Sequence, residues 1–395
     1  MTKTKLEFFK STSLGEIEFF QEGETYYQKY LELIEGAQMS IHLQTYIFEP
    51  DEFGKSVKSS LIRATQRGVK IYALVDRIGS TNLTDDFVNE MTSAGIHFCT
   101  FNSFQFKWLW QWGRRLHHKI LLVDGFKSII GGINVVSSTF GLKNQLPQLD
   151  FAVHLQGPVN ENLSRYCQFI FQKSCGKPLS FSNQKRPAAP PKTNEIKLKI
   201  SINDWFRGRR QIAKQYSWLM RNAKKDIIII NSYFFPRRKL MRQLRNAVMR
   251  GVRVRLILPK FSDWPIYVFA TQYLYSYFLK NGVEVYQWNK SILHGKLASI
   301  DGRFSTIGSF NLNYTSYQQN LEMNVEVDSE EFTKDLNKKI DLFISEGCEK
   351  IDESVFILKA KLGERMLRYF SFLVLSFIAS FSIVLSFQAS NRKVD

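Results

Sequence analysis

Cysteine is scarce, with Cys99, Cys167, Cys175 and Cys348 the four in 395 residues, and no Cys-x-x-Cys pair occurs. That spacing excludes a thiolate zinc site and a disulfide-stapled scaffold, so reduced thiols in a cytoplasmic compartment are expected. Carboxylates and histidines do not cluster at metal-ligand spacing either, so neither metal nor cofactor is expected. The first 23 residues lack an apolar core, which excludes a cleaved secretory signal. Acidic residues are outnumbered, 36 Asp and Glu against 54 Lys and Arg, for a net charge of +18. A chain so basic expects an anionic partner, either nucleic acid or an acidic membrane surface.

Apolar residues make up 44% of the sequence, and the length suits two domains better than one core. Near the end, residues 369–387 (YFSFLVLSFIASFSIVLSF) carry no charge. This approaches the ~20 residues that span a bilayer as a helix. Lys359, Lys361, Arg365 and Arg368 precede it, which places the preceding domains on the cytoplasmic side. A helix lying in the membrane interface is the alternative.

Two segments repeat one plan. MSIHLQTYIFEPDEFGKSVKSSLIRATQRGVKIYALVD (39–76) and KDIIIINSYFFPRRKLMRQLRNAVMRGVRVRLILP (225–259) each read as strand, Tyr-x-Phe or Tyr-Phe-Phe, Pro, helix, Arg-Gly-Val and strand. Gly68 and Gly251 stand where helix-ending glycines belong. Alternating strands and helices imply βαβ units. The expected fold is α/β: two duplicated domains with mixed, largely parallel sheets flanked by helices, related by a pseudo-twofold, plus an apolar C-terminal helix. The Pro-rich stretch 176–195 reads as a linker between domains at 1–175 and 196–350, with a tail at 351–395.

Each repeat then carries one long motif. HHKILLVDGFKSIIGGIN holds His117, Lys119, Asp124, Gly131, Gly132 and Asn134; HGKLASIDGRFSTIGSFN holds His294, Lys296, Asp301, Gly308, Ser309 and Asn311. The shared spacing is H-x-K-x4-D-x6-G-[GS]-x-N. Average residue frequencies would give one such match on the order of once in ten thousand chains of this size. His and Lys at i and i+2 of a strand share a face. Displacement at a phosphodiester needs a nucleophile, an acid for the leaving oxygen, and positive charge for the remaining oxygens. Two histidines divide the first two roles. Lys119 and Lys296 supply charge, Asn134 and Asn311 supply amide donors, and Gly132 and Ser309 are expected beside the phosphate. Asp124 and Asp301 close their strands at turns and are grouped with the catalytic motif.

The double motif resembles the phospholipase D superfamily, and within it the bacterial cardiolipin synthases, most closely their B type. The likeness runs from about residue 20 to 345, through EGETYYQ, RRLHHKILLVD, LDFAVHLQGPV, YFFP and LHGKLASIDGRFSTIGSFNLN. It implies transfer of a phosphatidyl group between phosphatidylglycerol molecules through a phosphohistidine, releasing glycerol. It assigns His117 as nucleophile and His294 as acid/base, whereas the symmetry of the sequence leaves that choice open. It also implies a histidine-orienting acid after each motif, here Asp150 and Glu322. Expected partners are phosphatidylglycerol, other anionic phospholipids and the cytoplasmic face of a bacterial inner membrane, with no nucleic acid. The alternatives are a hydrolytic phospholipase D, a nuclease of the same superfamily, and a non-catalytic membrane-surface protein, against which both intact motifs argue.

Four other features admit structural readings. His118 should face away from His117 as a structural residue. The Trp-rich run 104–116 could feed lipid to the site or pack as a loop. WPIYVFATQYLYSYFLK (264–280) could line an acyl groove or simply pack, and the basic helix 237–253 could be a solvated face or an anionic-lipid contact.

Overall fold

The computed structural model describes residues 13–101, 114–137, 148–176, 196–204, 207–354, 356 and 360–391, with side chains as far as residue 380. The Trp-rich run therefore lies almost wholly outside the described residues, as does the linker.

In the first repeat, β1 (Ser13–Gln21), α1 (Glu24–Glu35), β2 (Ser40–Thr45), α2 (Glu52–Gln66), β3 (Lys70–Asp76), α3 (Asp85–Ser93) and β4 (His97–Phe101) come first. There follow β5 (Arg115–Leu116), β6 (Lys119–Val123), β7 (Lys127–Gly131), β8 (Gln148–Leu149), β9 (Phe151–Gln156) and α4 (Asn160–Cys175). The second repeat has β10 (Ile196–Asp204), β11 (Arg209–Arg210), α5 (Gln211–Asn222), β12 (Asp226–Asn231), α6 (Arg238–Met249), β13 (Arg253–Pro259), α7 (Pro265–Lys280) and β14 (Glu284–Trp288). It continues through β15 (Ile292–Leu293), β16 (Lys296–Ile300), β17 (Phe304–Gly308), α8 (Tyr314–Gln318), β18 (Asn320–Asp328), α9 (Glu330–Gly347) and β19 (Cys348–Lys350). Last comes α10 (Leu362–Asn391).

Both sheets have one strand order. The first runs β1-β9-β7-β6-β2-β3-β4, and the second runs β10-β18-β17-β16-β12-β13-β14 with β19 beyond. Within these two sheets, among the described residues, only β2-β3-β4 and β12-β13-β14 are parallel, because only there does a helix carry the chain back across the sheet. The parallel share is thus narrower than the repeat pattern suggested. The sheets meet edge to edge where β1 pairs antiparallel with β10.

Strand alternation builds the layers. Along β6, Ile120 and Leu122 join a core shared by both repeats, while Leu121 and Val123 point to the outer helices. The shared core also takes Tyr166, Ile170 and Phe171 from α4 and Leu336, Ile340 and Phe343 from α9. Sequence-legible caps define the helices. Asp51, Thr84 and Ser329 accept from Gly54 N, Phe87 N and Phe332 N, and Gly68 and Gly251 end α2 and α6 at φ +87° and +83°.

Two expectations are corrected by the geometry. Cys99 and Cys175 form a disulfide, tying the edge strand β4 to the end of α4; only Cys167 and Cys348 are free. Sequence spacing could not show this, because the two cysteines are 76 residues apart and meet through the tertiary fold. Asp124 and Asp301 also stand away from the chemistry. Each lies at the far end of a five-residue strand from its lysine, about 17 Å at ~3.3 Å per residue. Each adopts a left-handed conformation, φ 52° and 56°, which Asp tolerates at a turn. The Asp124 carboxylate accepts from Gln38 N (3.0 Å), Met39 N (2.7 Å) and Ser40 N (2.9 Å), and Asp301 does the same for residues 224–226.

The run 369–387 lies within α10. Among the described residues no helix is long and apolar enough to cross a membrane. The expected span runs past the last described side chain, so only the backbone of its residues 381–387 is described.

Asp124→Ala and Asp301→Ala should each lower the unfolding free energy by about 3 kcal/mol, since three backbone donors lose a charged acceptor. Urea denaturation measures this. An unchanged midpoint together with lost activity would return these residues to the reaction itself.

Candidate active site between the repeats

The polar ends of β6 and β16 face each other across the shared core. His117 sits just before β6 and His294 just before β16. Each is anchored by the other repeat: His117 N and His118 N donate to Leu321 O, while His294 N and Gly295 N donate to Leu149 O. Two short parallel pairings, β5 with β18 and β8 with β15, extend these contacts.

The side chains cross in the same way. His117 Nδ1 lies 2.9 Å from Glu322 Oε2, and His294 Nδ1 lies 2.6 Å from Asp150 Oδ2. Both carboxylates are fully buried. Burial alone would raise Glu322, but His117, Lys119 and Ser309 hold it below the ordinary range. Asp150 is likewise held low against burial by Lys296 and His294. An ionised carboxylate can only accept, so each imidazole carries its proton on Nδ1 and presents the Nε2 lone pair to the cleft. Burial lowers His117 to about 4, Glu322 opposing and Lys119 assisting, and it lowers His294 as well. Both imidazoles are neutral at rest.

Lys119 Nζ donates to His117 O (2.6 Å), and Lys296 Nζ donates to His294 O. Burial, with Lys296 nearby, lowers Lys119 to about 7, and burial lowers Lys296 too. Lys296 also acts on His117, and Lys119 on His294, across the repeat boundary. Two imidazoles and two ammonium groups thus converge on one cleft. Such a set can attack a phosphodiester, stabilise its charge and move a proton at the leaving oxygen.

The remaining expected site residues divide. Asn134 Oδ1 accepts from Ile47 N (3.1 Å) and Asn311 Oδ1 from Ser232 Oγ (2.8 Å), which leaves each amide nitrogen as a donor. The Ser309 hydroxyl is engaged with the orienting acid: its Oγ donates to Glu322 Oε2 (2.5 Å) and accepts from Met323 N (3.1 Å). Gly132 packs against the other orienting acid. A Cβ at that position would stand 2.2 Å from Asp150 Oδ1, so the glycine makes room for the carboxylate. His118 faces inward, its Nε2 2.9 Å from Gln44 Oε1. Its counterpart is Gly295, where a Cβ would strike the Phe151 ring at 2.3 Å.

Several site residues escaped the sequence reading. Tyr46 packs against His117 at 5.1 Å between centroids, and Tyr233 against His294 at 5.9 Å. They occupy corresponding places in the Tyr-x-Phe and Tyr-Phe-Phe segments, a signal that was visible but lacked a partner. The Tyr233 hydroxyl donates to Asp263 Oδ1 (2.6 Å). Ser316 Oγ and Asn320 Nδ2 donate to Glu322 Oε1 at 2.6 and 3.0 Å. Glu22 is half-buried, with its carboxyl oxygens enclosed beside Asp150, and burial first, then Asp150, pushes it up to about 10, so it stays protonated. Among the described residues no group of His, Cys, Asp or Glu could hold a metal ion.

Comparison with known proteins agrees with this geometry. A family model described as "Cardiolipin synthase, PLD-like domain" matches twice, over residues 30–154 and 217–343. Cardiolipin synthase B of Escherichia coli is 32% identical over 372 residues, covering 91% of this chain and 89% of its own. The major cardiolipin synthase of Bacillus subtilis is 29% identical, covering 79% and 65%. Among solved structures, phosphatidylserine synthase of Haemophilus influenzae superposes with a TM-score of 0.70 over 98% of this chain and 99% of its own, at 13% identity. At that identity the likeness concerns the fold.

Glu322→Gln should lower turnover by roughly 10³–10⁴-fold, because an amide no longer fixes the His117 tautomer or stabilises its cation. Ser316→Ala, which removes one donor to Glu322, should cost far less. Steady-state rates at saturating substrate decide it, and near-normal turnover in the Gln variant would remove Glu322 from its role.

Proposed function

The chain belongs to the cardiolipin synthase family of phospholipase D-like proteins, and from that premise we propose that it transfers a phosphatidyl group from one phosphatidylglycerol to another, yielding cardiolipin and glycerol. The crossed histidine–carboxylate pairs carry this reading, since they set one poised imidazole on each side of a single cleft.

His117 Nε2 attacks phosphorus, and the bond from phosphorus to the glycerol oxygen breaks. His294, protonated on binding the anionic substrate and steadied as a cation by Asp150, gives its Nε2 proton to the departing glycerol. The glycerol hydroxyl of a second phosphatidylglycerol then enters. Its proton passes to His294, its oxygen bonds to phosphorus, and the phosphorus–nitrogen bond breaks. Lys119, Lys296, Asn134 and Asn311 hold the non-bridging oxygens. The two repeats, 1–175 and 196–350, act as one catalytic unit.

The membrane face is proposed on α10. Leu362, Met366, Phe370, Leu373 and Phe377 recur every three or four residues and are all exposed, Phe377 at 72%. The opposite face packs on the second repeat, with Phe372 against Phe235 and Tyr273. An exposed apolar stripe flanked by Lys361 and Arg365 suits insertion into an anionic bilayer surface, here the cytoplasmic face of a bacterial membrane. Phe370→Asp/Phe377→Asp should weaken sedimentation with phosphatidylglycerol vesicles about tenfold or more. Equal sedimentation would mean that another surface docks.

Mass spectrometry of products from phosphatidylglycerol vesicles tests the reaction. Cardiolipin and glycerol should appear in equal amounts, and His117→Ala and His294→Ala should each abolish them. Phosphatidic acid as the main product would mean hydrolysis, and activity surviving in either variant would end the two-histidine scheme.

A further inference from the structure

A second cationic cavity lies outside the catalytic cleft, between α5 and α6, with a volume of about 350 Å³. Arg210, Lys214 and Arg221 reach it from α5 and its N-terminal cap, and Arg237 and Lys239 from the start of α6. Among the described residues no carboxylate lines it. Among the described residues, Lys214, Arg221, Arg237 and Lys239 form no ion pair. This differs from the basic residues on the following strand, where Arg253 and Arg255 are paired with Glu284 and Asp341.

The cavity is built rather than accidental. Gln243 Nε2 donates to Ser217 Oγ (2.7 Å) and ties the two helices together beneath it. The Arg237 guanidinium is stacked 4.6 Å over Tyr314 and 5.0 Å over Tyr317, both on α8, and its Nε is buried without a hydrogen-bond partner. Helix α6 opens here with no side-chain cap and no acid in its first turn, so its positive end adds to the field. Clustered like charges repel, and a bound anion relieves that repulsion.

We propose that this cavity binds a phosphate-bearing headgroup, independently of the catalytic reading. Its size suits one small anion rather than a polymer. Its wall α8 touches α10, the helix that carries the exposed apolar stripe, and a phospholipid at a membrane surface could present its phosphate there. The shared chemistry is a phosphate mono- or diester, and the source is a lipid headgroup or free phosphate.

Hydrogen-exchange mass spectrometry tests this on the full chain carrying His117→Ala, so that turnover does not consume the probe. The probes are dihexanoylphosphatidylglycerol below its aggregation limit, inorganic phosphate, and dihexanoylphosphatidylcholine. Saturable slowing of exchange is expected over 210–222 and 237–243. Adding Lys214→Glu/Arg221→Glu should weaken it about tenfold or more; Lys214→Gln/Arg221→Gln replaces it if the reversal prevents folding. Slowing by the anionic lipid alone assigns a lipid headgroup, and equal slowing by inorganic phosphate assigns the free anion. The proposal falls if neither anion slows exchange there, if the substitutions change nothing, or if phosphatidylcholine acts as strongly as phosphatidylglycerol. Exchange in 115–124 and 292–300 reports the catalytic cleft separately, so failure of one site does not imply failure of the other.

Discussion

Each histidine of the cleft is held by a carboxylate from the opposite repeat, and the rest of the structure serves that exchange. A buried carboxylate without partners costs several kcal/mol. Asp150 and Glu322 are both fully buried, so each depends on the imidazole and ammonium groups that the other repeat supplies. Separating the repeats would strand two anions and four basic groups in an apolar interface. The ladders from residue 117 to Leu321 and from residue 294 to Leu149 fix the distance at which this compensation works.

The two halves of the site are alike in plan and unlike in detail. Glu322 accepts from Ser309, Ser316 and Asn320 besides His117. Asp150 has Phe151 N and His294, and its further neighbour is the neutral acid Glu22. Part of the difference follows from a single exchange in the motif. Ser309 in the second repeat supplies a hydroxyl, whereas Gly132 in the first leaves only space, which the shorter Asp fills. Among the described residues, one imidazole therefore faces a buried carboxylate with four donors and the other a buried carboxylate with two, an asymmetry that suits two different tasks.

Much of this was legible in the sequence. The repeat, its matched helix stops at Gly68 and Gly251, and the registered H-x-K motifs are periodic features, and periodicity survives without coordinates. Asp124 and Asp301 share the spacing equally, but spacing cannot tell a residue that reacts from one that closes a turn; only their backbone donors do so. For Ser309 and Gly132 the same spacing suggested a ligand and gave no sign of the carboxylate that neighbours each. The crossing of Asp150 to His294 and the Cys99–Cys175 bond were beyond reach, because both depend on how distant segments meet. Tyr46 and Tyr233 were visible as landmarks, and the fold supplied what they touch.

The crossing also bears on how the chain is made. His117 precedes Glu322 by 205 residues, so during synthesis the first motif leaves the ribosome many seconds before its carboxylate exists, at ~5–20 residues per second. A nascent chain can fold its first sheet and still hold an unready histidine. The carboxylate that fixes its tautomer arrives only with the second repeat.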